Sequence, residues 1–182
     1  MNNMLKYSAL LLVLVLVLAG CRKEPNYSDI PQITFDRVEQ YTYSQNKVLI
    51  DTLFIVIDFQ DGDGNLGLSR GSGGSQTGPD FQDPFNPGSP YFDNYFANLQ
   101  VKRGNTYEST PFTFSGRFPR LSNDEAPETL EGEIRFTIDS FTTIDYPAGD
   151  TVRFEVYIYD RALNKSNVVY TDDVVLYQGQ GR

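Results

Sequence analysis

Alternation with a period of two governs most of this chain. In LEGEIRFTID, residues 130–139, the side chains of Leu130, Gly132, Ile134, Phe136 and Ile138 share one face. Glu131, Glu133, Arg135, Thr137 and Asp139 share the other. DTVRFEVYIYD, residues 150–160, repeats the pattern with Val152, Phe154, Val156 and Ile158 inward, and LFIVIDFQD does so with Leu53, Ile55, Ile57 and Phe59. Such alternation marks half-buried antiparallel strands. Further strand candidates are 31–36, 47–59, 96–103, 110–119 and 167–177. Turn residues punctuate them, as in DYPAGD (145–150) and NKSN (164–167). No stretch after residue 20 keeps a helical period over three turns, and no internal repeat is visible. About seven strands at this spacing imply an all-β, immunoglobulin-like antiparallel β-sandwich over 31–178. A small barrel is the alternative.

The amino terminus reads MNNMLKYSALLLVLVLVLAGC. Lys6 supplies a short positive region, and Leu10 to Leu18 is a continuous apolar run. That run is short for a membrane span and ends in small residues, which fits an export signal. Leu18-Ala19-Gly20-Cys21 resembles the bacterial lipobox. The resemblance implies that the Cys21 thiol takes a diacylglycerol, that a peptidase cuts before it, and that the new amine receives a further acyl chain such as palmitate. At about 0.8 kcal/mol per buried methylene, several chains give a lasting membrane anchor. Residues 1–20 are then a signal peptide, 21–30 a polar tether, and 179–182 a short tail. Lys23-Glu24 is a faint match to sorting signals that carry some lipoproteins across the outer membrane.

Composition narrows the chemistry. The 182 residues carry 24 acidic and 15 basic side chains, for a formal charge of −9. A surface of that sign repels nucleic acid. The chain has no His, and Cys21 is its one cysteine. Histidine triads, histidine metal sites and cysteine catalysis are therefore excluded, as is an intrachain disulfide. No P-loop or dinucleotide fingerprint is present. Glu131 and Glu133 could form a hydrolytic carboxylate pair. They alternate along one polar strand face, however, so a non-enzymatic role is the expectation.

One loop could hold a cation. QDGDGNLGLS, residues 60–69, places Asp61, Asp63 and Asn65 at alternate positions, with Gly67 two residues further. Calcium takes six to eight oxygens, and side chains at positions 1, 3 and 5 with a carbonyl at 7 wrap one side of it. The helix-loop-helix calcium pattern then fails, because its Gly position is Leu66 and its closing Glu position is Ser72. Asp160 could complete a calcium site from a hairpin at the same end of a sandwich, and Asp58, Asp80 and Asp83 are further acids nearby in sequence. A metal-free tight turn is the other reading, since Asp-Gly pairs make hairpin turns unaided.

Residues 71–98 form a long irregular segment without Lys or Arg. Connections of this length are uncommon in compact domains unless functional or disordered. Its rings are Phe81, Phe85, Tyr91, Phe92, Tyr95 and Phe96. They would either cover the core or present an aromatic surface to a protein or glycan partner.

YIYDRALNKSN, residues 157–167, is similar to the late hairpin D-x-A-G-N-x-S of bacterial immunoglobulin-like domains. Asp160, Ala162, Asn164 and Ser166 match, and Leu163 stands where Gly is usual. Together with the DGDG loop, it resembles a group of Bacteroidota lipoproteins of unassigned function. The resemblance spans about residues 31–177. It implies a lipid-anchored outer-membrane protein that acts as a non-catalytic binding or accessory subunit of a membrane protein assembly. A glycan-binding lipoprotein for polysaccharide uptake is the second expectation, and a small hydrolase the third. Replacing Cys21 by Ser should abolish acyl mass in whole-protein mass spectrometry and shift the protein from the membrane to the soluble fraction; an acylated or fully membrane-bound C21S protein would refute the anchor.

Overall fold

The computed structural model describes residues 25–71, 75–122 and 128–179. The lipobox and Cys21 lie outside these residues. Among them no helix is long and apolar enough to cross a membrane. Eight strands follow in chain order: β1 (Gln32–Gln45), β2 (Val48–Asp61), β3 (Tyr95–Arg103), β4 (Thr106–Gly116), β5 (Leu130–Thr142), β6 (Thr151–Ile158), β7 (Val169–Tyr170) and β8 (Val174–Val175). They build two antiparallel sheets, β1-β2-β5 and β4-β3-β6-β7, with β8 also on β6. The first, second and fifth strands share one sheet, and the third and sixth share the other. This is the immunoglobulin-like arrangement, with β4 extending the second sheet as an extra strand does in variable-type domains. Two separate sheets replace the barrel alternative.

The core lies between the sheets. Leu53, Ile55, Ile57 and Phe59 of β2 meet Ala97, Leu99 and Val101 of β3 and Val152, Phe154, Val156 and Ile158 of β6. Each Leu, Ile, Val or Phe among them contributes about 1.5–3 kcal/mol on full burial. β2 is the middle strand of its sheet and is buried on both faces. On the outer side, the Arg135 guanidinium lies 3.6 Å from the centroid of the Phe54 ring and Tyr41 packs edge-on at 5.7 Å. Arg135 is held there by Glu39 at 2.6 Å.

Two of the departures from the sequence expectation have a clear physical cause. β1 continues to Gln45, although residues 37–45 are mostly polar. Its pairing comes from the hairpin with β2, closed by Asn46 (φ 52°) and Lys47 (φ 67°), both left-handed as a tight two-residue turn requires. The expected 167–177 strand is broken into β7 and β8. Between them the Thr171 hydroxyl accepts the Phe154 N–H at 3.0 Å, so a side chain replaces a backbone carbonyl in the ladder.

The long segment is fastened to the body by Arg117, which follows β4. Its guanidinium stacks between Phe81 (4.4 Å) and Phe92 (4.1 Å). It donates to the carbonyls of Ser69, Asp80, Phe85 and Phe92. Asp80, only 3% exposed, accepts two bonds from Arg120 and one from the Ser69 N–H. Burial opposes charge on Asp80, but Arg120 and the Ser69 N–H hold its carboxyl below the usual range. This part of the segment packs on the residues that follow β2 and β4. Arg117→Met should therefore cost about 2–4 kcal/mol in urea unfolding, because four carbonyls lose their donor, and should open residues 79–93 to protease; unchanged stability would refute the fastening role.

Candidate functional site

The inward rows of β2 and β6 each finish on an acid. Leu53, Ile55, Ile57 and Phe59 are followed, at the same parity, by Asp61. Val152, Phe154, Val156 and Ile158 are followed by Asp160. Asp61 is 0% and Asp160 2% exposed. One comes from each sheet, and the loop after β2 brings them to the same end of the sandwich. That loop is anchored by Leu66 and Leu68, both buried. Backbone bonds join it to residues 118–122: Leu68 N–H to the Phe118 carbonyl at 3.0 Å and Leu121 N–H to the Leu66 carbonyl at 3.2 Å. Gly67 is indispensable there. Its φ is 92°, and a Cβ would lie 2.1 Å from the Pro119 carbonyl oxygen. On the other side, the tether closes in as the Gly62 N–H donates to the Ser28 carbonyl at 2.9 Å.

The polar partners at this end are unevenly shared. Asp160 accepts from the Asn164 backbone N–H (2.7 Å) and side-chain amide (2.8 Å). These bonds close the hairpin with Leu163 in the left-handed region (φ 67°), a conformation that Gly adopts most readily. Asp63 accepts from the Asn65 amide at 2.7 Å. Both oxygens of Asp61 and Oδ1 of Asn65 have no hydrogen-bond partner. Burial pushes Asp61 up to about 7, and the charges of Asp63 and Asp160 add to the shift. The backbone N–H groups of Gly64 and Asn65 oppose it, but neither meets hydrogen-bond geometry. Asp160 is also raised, mainly by burial and further by Asp63.

The expected cation ligands are thus partly brought together. Asp63 and Asp160 lie near enough to Asp61 to shift its titration, Asp63 does the same to Asp160, and Asn65 bonds Asp63. Gly67 departs from expectation: its carbonyl accepts from Arg161 Nη1 at 3.1 Å, so it faces a guanidinium rather than the acids. Asp58 is exposed on the outer face of β2, and Asp80 is committed to Arg120. No three acidic side chains among the described residues are already gathered as a metal-ligand group.

The six aromatic candidates separate into three settings. Tyr95 is fully buried in the core and stacks on Phe136 at 4.2 Å, and Phe81 is buried beneath Arg117. Neither is a surface anchor. Phe85 and Phe92 belong to the Arg117 fastening. Tyr91 and Phe96 join Tyr157 and Tyr159 in a half-exposed cluster on the outer face of the β3–β6 sheet. Phe96 stacks on Tyr157 at 5.1 Å, and Tyr91 meets Tyr159 edge-on at 5.4 Å. Sequence reasoning missed Tyr157 and Tyr159, although period two places them opposite the inward row of β6. It also missed Arg117, for which no local pattern exists.

No family model matches the chain, and comparisons with curated proteins and with solved structures find no similar protein.

A folded-state carboxyl raised to about 7 holds its proton more tightly than the unfolded chain does. Stability therefore falls as pH rises from about 4 through 7. In chelator, the melting temperature should climb as pH is lowered from about 8 to about 5, and Asp61→Asn should flatten most of that slope. A slope unchanged in D61N would show that Asp61 is not the buried charge responsible.

Proposed function

We propose that the chain is a lipid-anchored envelope protein that works by non-catalytic binding, as an accessory subunit of an outer-membrane protein assembly. The observation that carries this reading is the aromatic patch of Tyr91, Phe96, Tyr157 and Tyr159, whose rings touch one another and remain half-exposed. Rigid aromatic side chains are the commonest interface anchors. Lys165, 3.6 Å from the centroid of the Tyr157 ring, and Glu155 on the same face supply a polar rim. The leader, the lipobox residues and the acidic surface support an envelope location. The sequence offers no histidine or free thiol for catalysis after the lipobox.

A second reading, glycan binding, is favoured by a separate feature. A shallow cleft of about 610 Å³ lies across the first sheet, lined by Gln32, Thr34, Asp58, Gln60 and Glu131 with Phe59 and Gly132. Amide, hydroxyl and carboxylate groups are the donors and acceptors that sugar hydroxyls require.

Purification of the full-length protein from gently solubilised membranes tests the choice. The first reading expects a stoichiometric membrane protein that is lost when Phe96 and Tyr157 are both changed to Ser, with little change in melting temperature. A chain that purifies alone, or a partner indifferent to that double change, refutes it. Retention on polysaccharide that is abolished by Asp58→Ala would favour the second.

A further inference from the structure

The end of the sandwich carries an electrostatic debt that protein groups leave open. Asp61 has no exposure and no donor on either oxygen. Asp63 and Asp160 both press on it with like charge. A buried ion without a partner costs several kcal/mol, and proteins commonly meet that cost with a counter-ion or a metal. The Arg161 guanidinium feels the charges of Asp61 and Asp63, and its Nη1 donates to the carbonyls of Leu66 and Gly67. Asn65 lies between the acids. Its amide nitrogen bonds Asp63 and also favours the charged form of Asp160, while its Oδ1 is unpartnered. The orphaned acceptors are therefore three oxygens, from Asp61 and Asn65, and two more carboxylates stand beside them.

We propose that Asp61, Asp63, Asn65 and Asp160 bind one calcium ion that clasps the two sheets together. The donor set is oxygen only. That chemistry selects a hard cation and disfavours zinc or copper, which take nitrogen and sulfur. Calcium tolerates an irregular shell and fills it with water, whereas magnesium demands near-octahedral geometry. Asp63 and Asp160 now accept from the amides of Asn65 and Asn164. Closure on the ion needs those carboxylates to turn from neutral donors towards a divalent charge, with the backbone staying in place. The ion then links the loop after β2, in one sheet, to the residue after β6, in the other. It also steadies the strand end against which the tether residue Ser28 is bonded. The inference stands apart from the anchor and the partner proposed above.

The test is equilibrium dialysis of the full-length protein in detergent against CaCl2, paired with thermal melting. One ion per chain should bind with half-saturation at about 0.1–1 mM, the range of extracellular calcium modules. At 5 mM CaCl2 the melting temperature should rise by about 3–5 °C, and equal MgCl2 should give at most a small part of that shift. Asp61→Asn and Asp160→Asn should lose the bound ion, while Asp58→Asn, at an exposed position, should keep it. Asn65→Ala carries the comparison should D61N fail to fold. No calcium uptake by the unaltered protein at 5 mM, or undiminished uptake in both D61N and N65A, overturns the proposal.

Discussion

Two carboxylates that close the inward rows of β2 and β6 set the terms for the rest of the molecule. The apolar side chains before them are what hold the sheets together, and the strand register cannot change at its last residue. Asp61 and Asp160 are therefore carried into the space between the sheets by the same pleat that buries Phe59 and Ile158. A one-residue slip would release the acids but expose the whole apolar row. The loops at this end must accommodate that outcome, which is why they are dense in backbone bonds, glycine and asparagine.

Four buried aspartates show the range of solutions. Asp51 accepts from Gln40, Thr42 and the Tyr177 N–H, and so ties the chain's last described residues to the first hairpin. Asp80 is matched by Arg120 and the Ser69 N–H. Asp160 receives two bonds from Asn164. Asp61 alone among these receives none. Asp51 and Asp80 draw donors from distant segments, and Asp160 draws its two from within its own hairpin. Under the calcium proposal the fourth is where stability and ligand binding become the same quantity, because an ion that binds only the folded state adds its binding energy to folding.

The irregular insertion follows a different logic. Few of its residues enter a sheet, and its order comes from two cations: Arg117, held between two rings and four carbonyls, and Arg120, paired with Asp80. Arg117 packs part of an aromatic-rich loop onto the residues that follow β2 and β4 and leaves Tyr91 at the surface beside the rings of β3 and β6. Internal packing and display, which the composition of 71–98 could not separate, are divided among different residues of the same segment: Phe81 and Phe92 pack on Arg117, and Tyr91 and Phe96 are half-exposed.

Local alternation determined the strands that matter most. β5 and β6 were legible because each buries one row of side chains, and period two reports that directly; β2, buried on both faces, was legible as a nearly continuous apolar run. The acid loop and the DRALN hairpin were legible as turns for similarly local reasons: glycine, aspartate and asparagine impose backbone shape within a few residues. Tertiary structure alone decided that Asp61 and Asp160 share one end, that Gly67 faces Arg161, that Tyr95 lies in the core, and that Arg117 fastens the insertion. Those outcomes join residues as many as 99 positions apart, as with Asp61 and Asp160. Contacts at such separations depend on how two sheets stack, a property of the summed apolar surface that no short stretch of sequence carries.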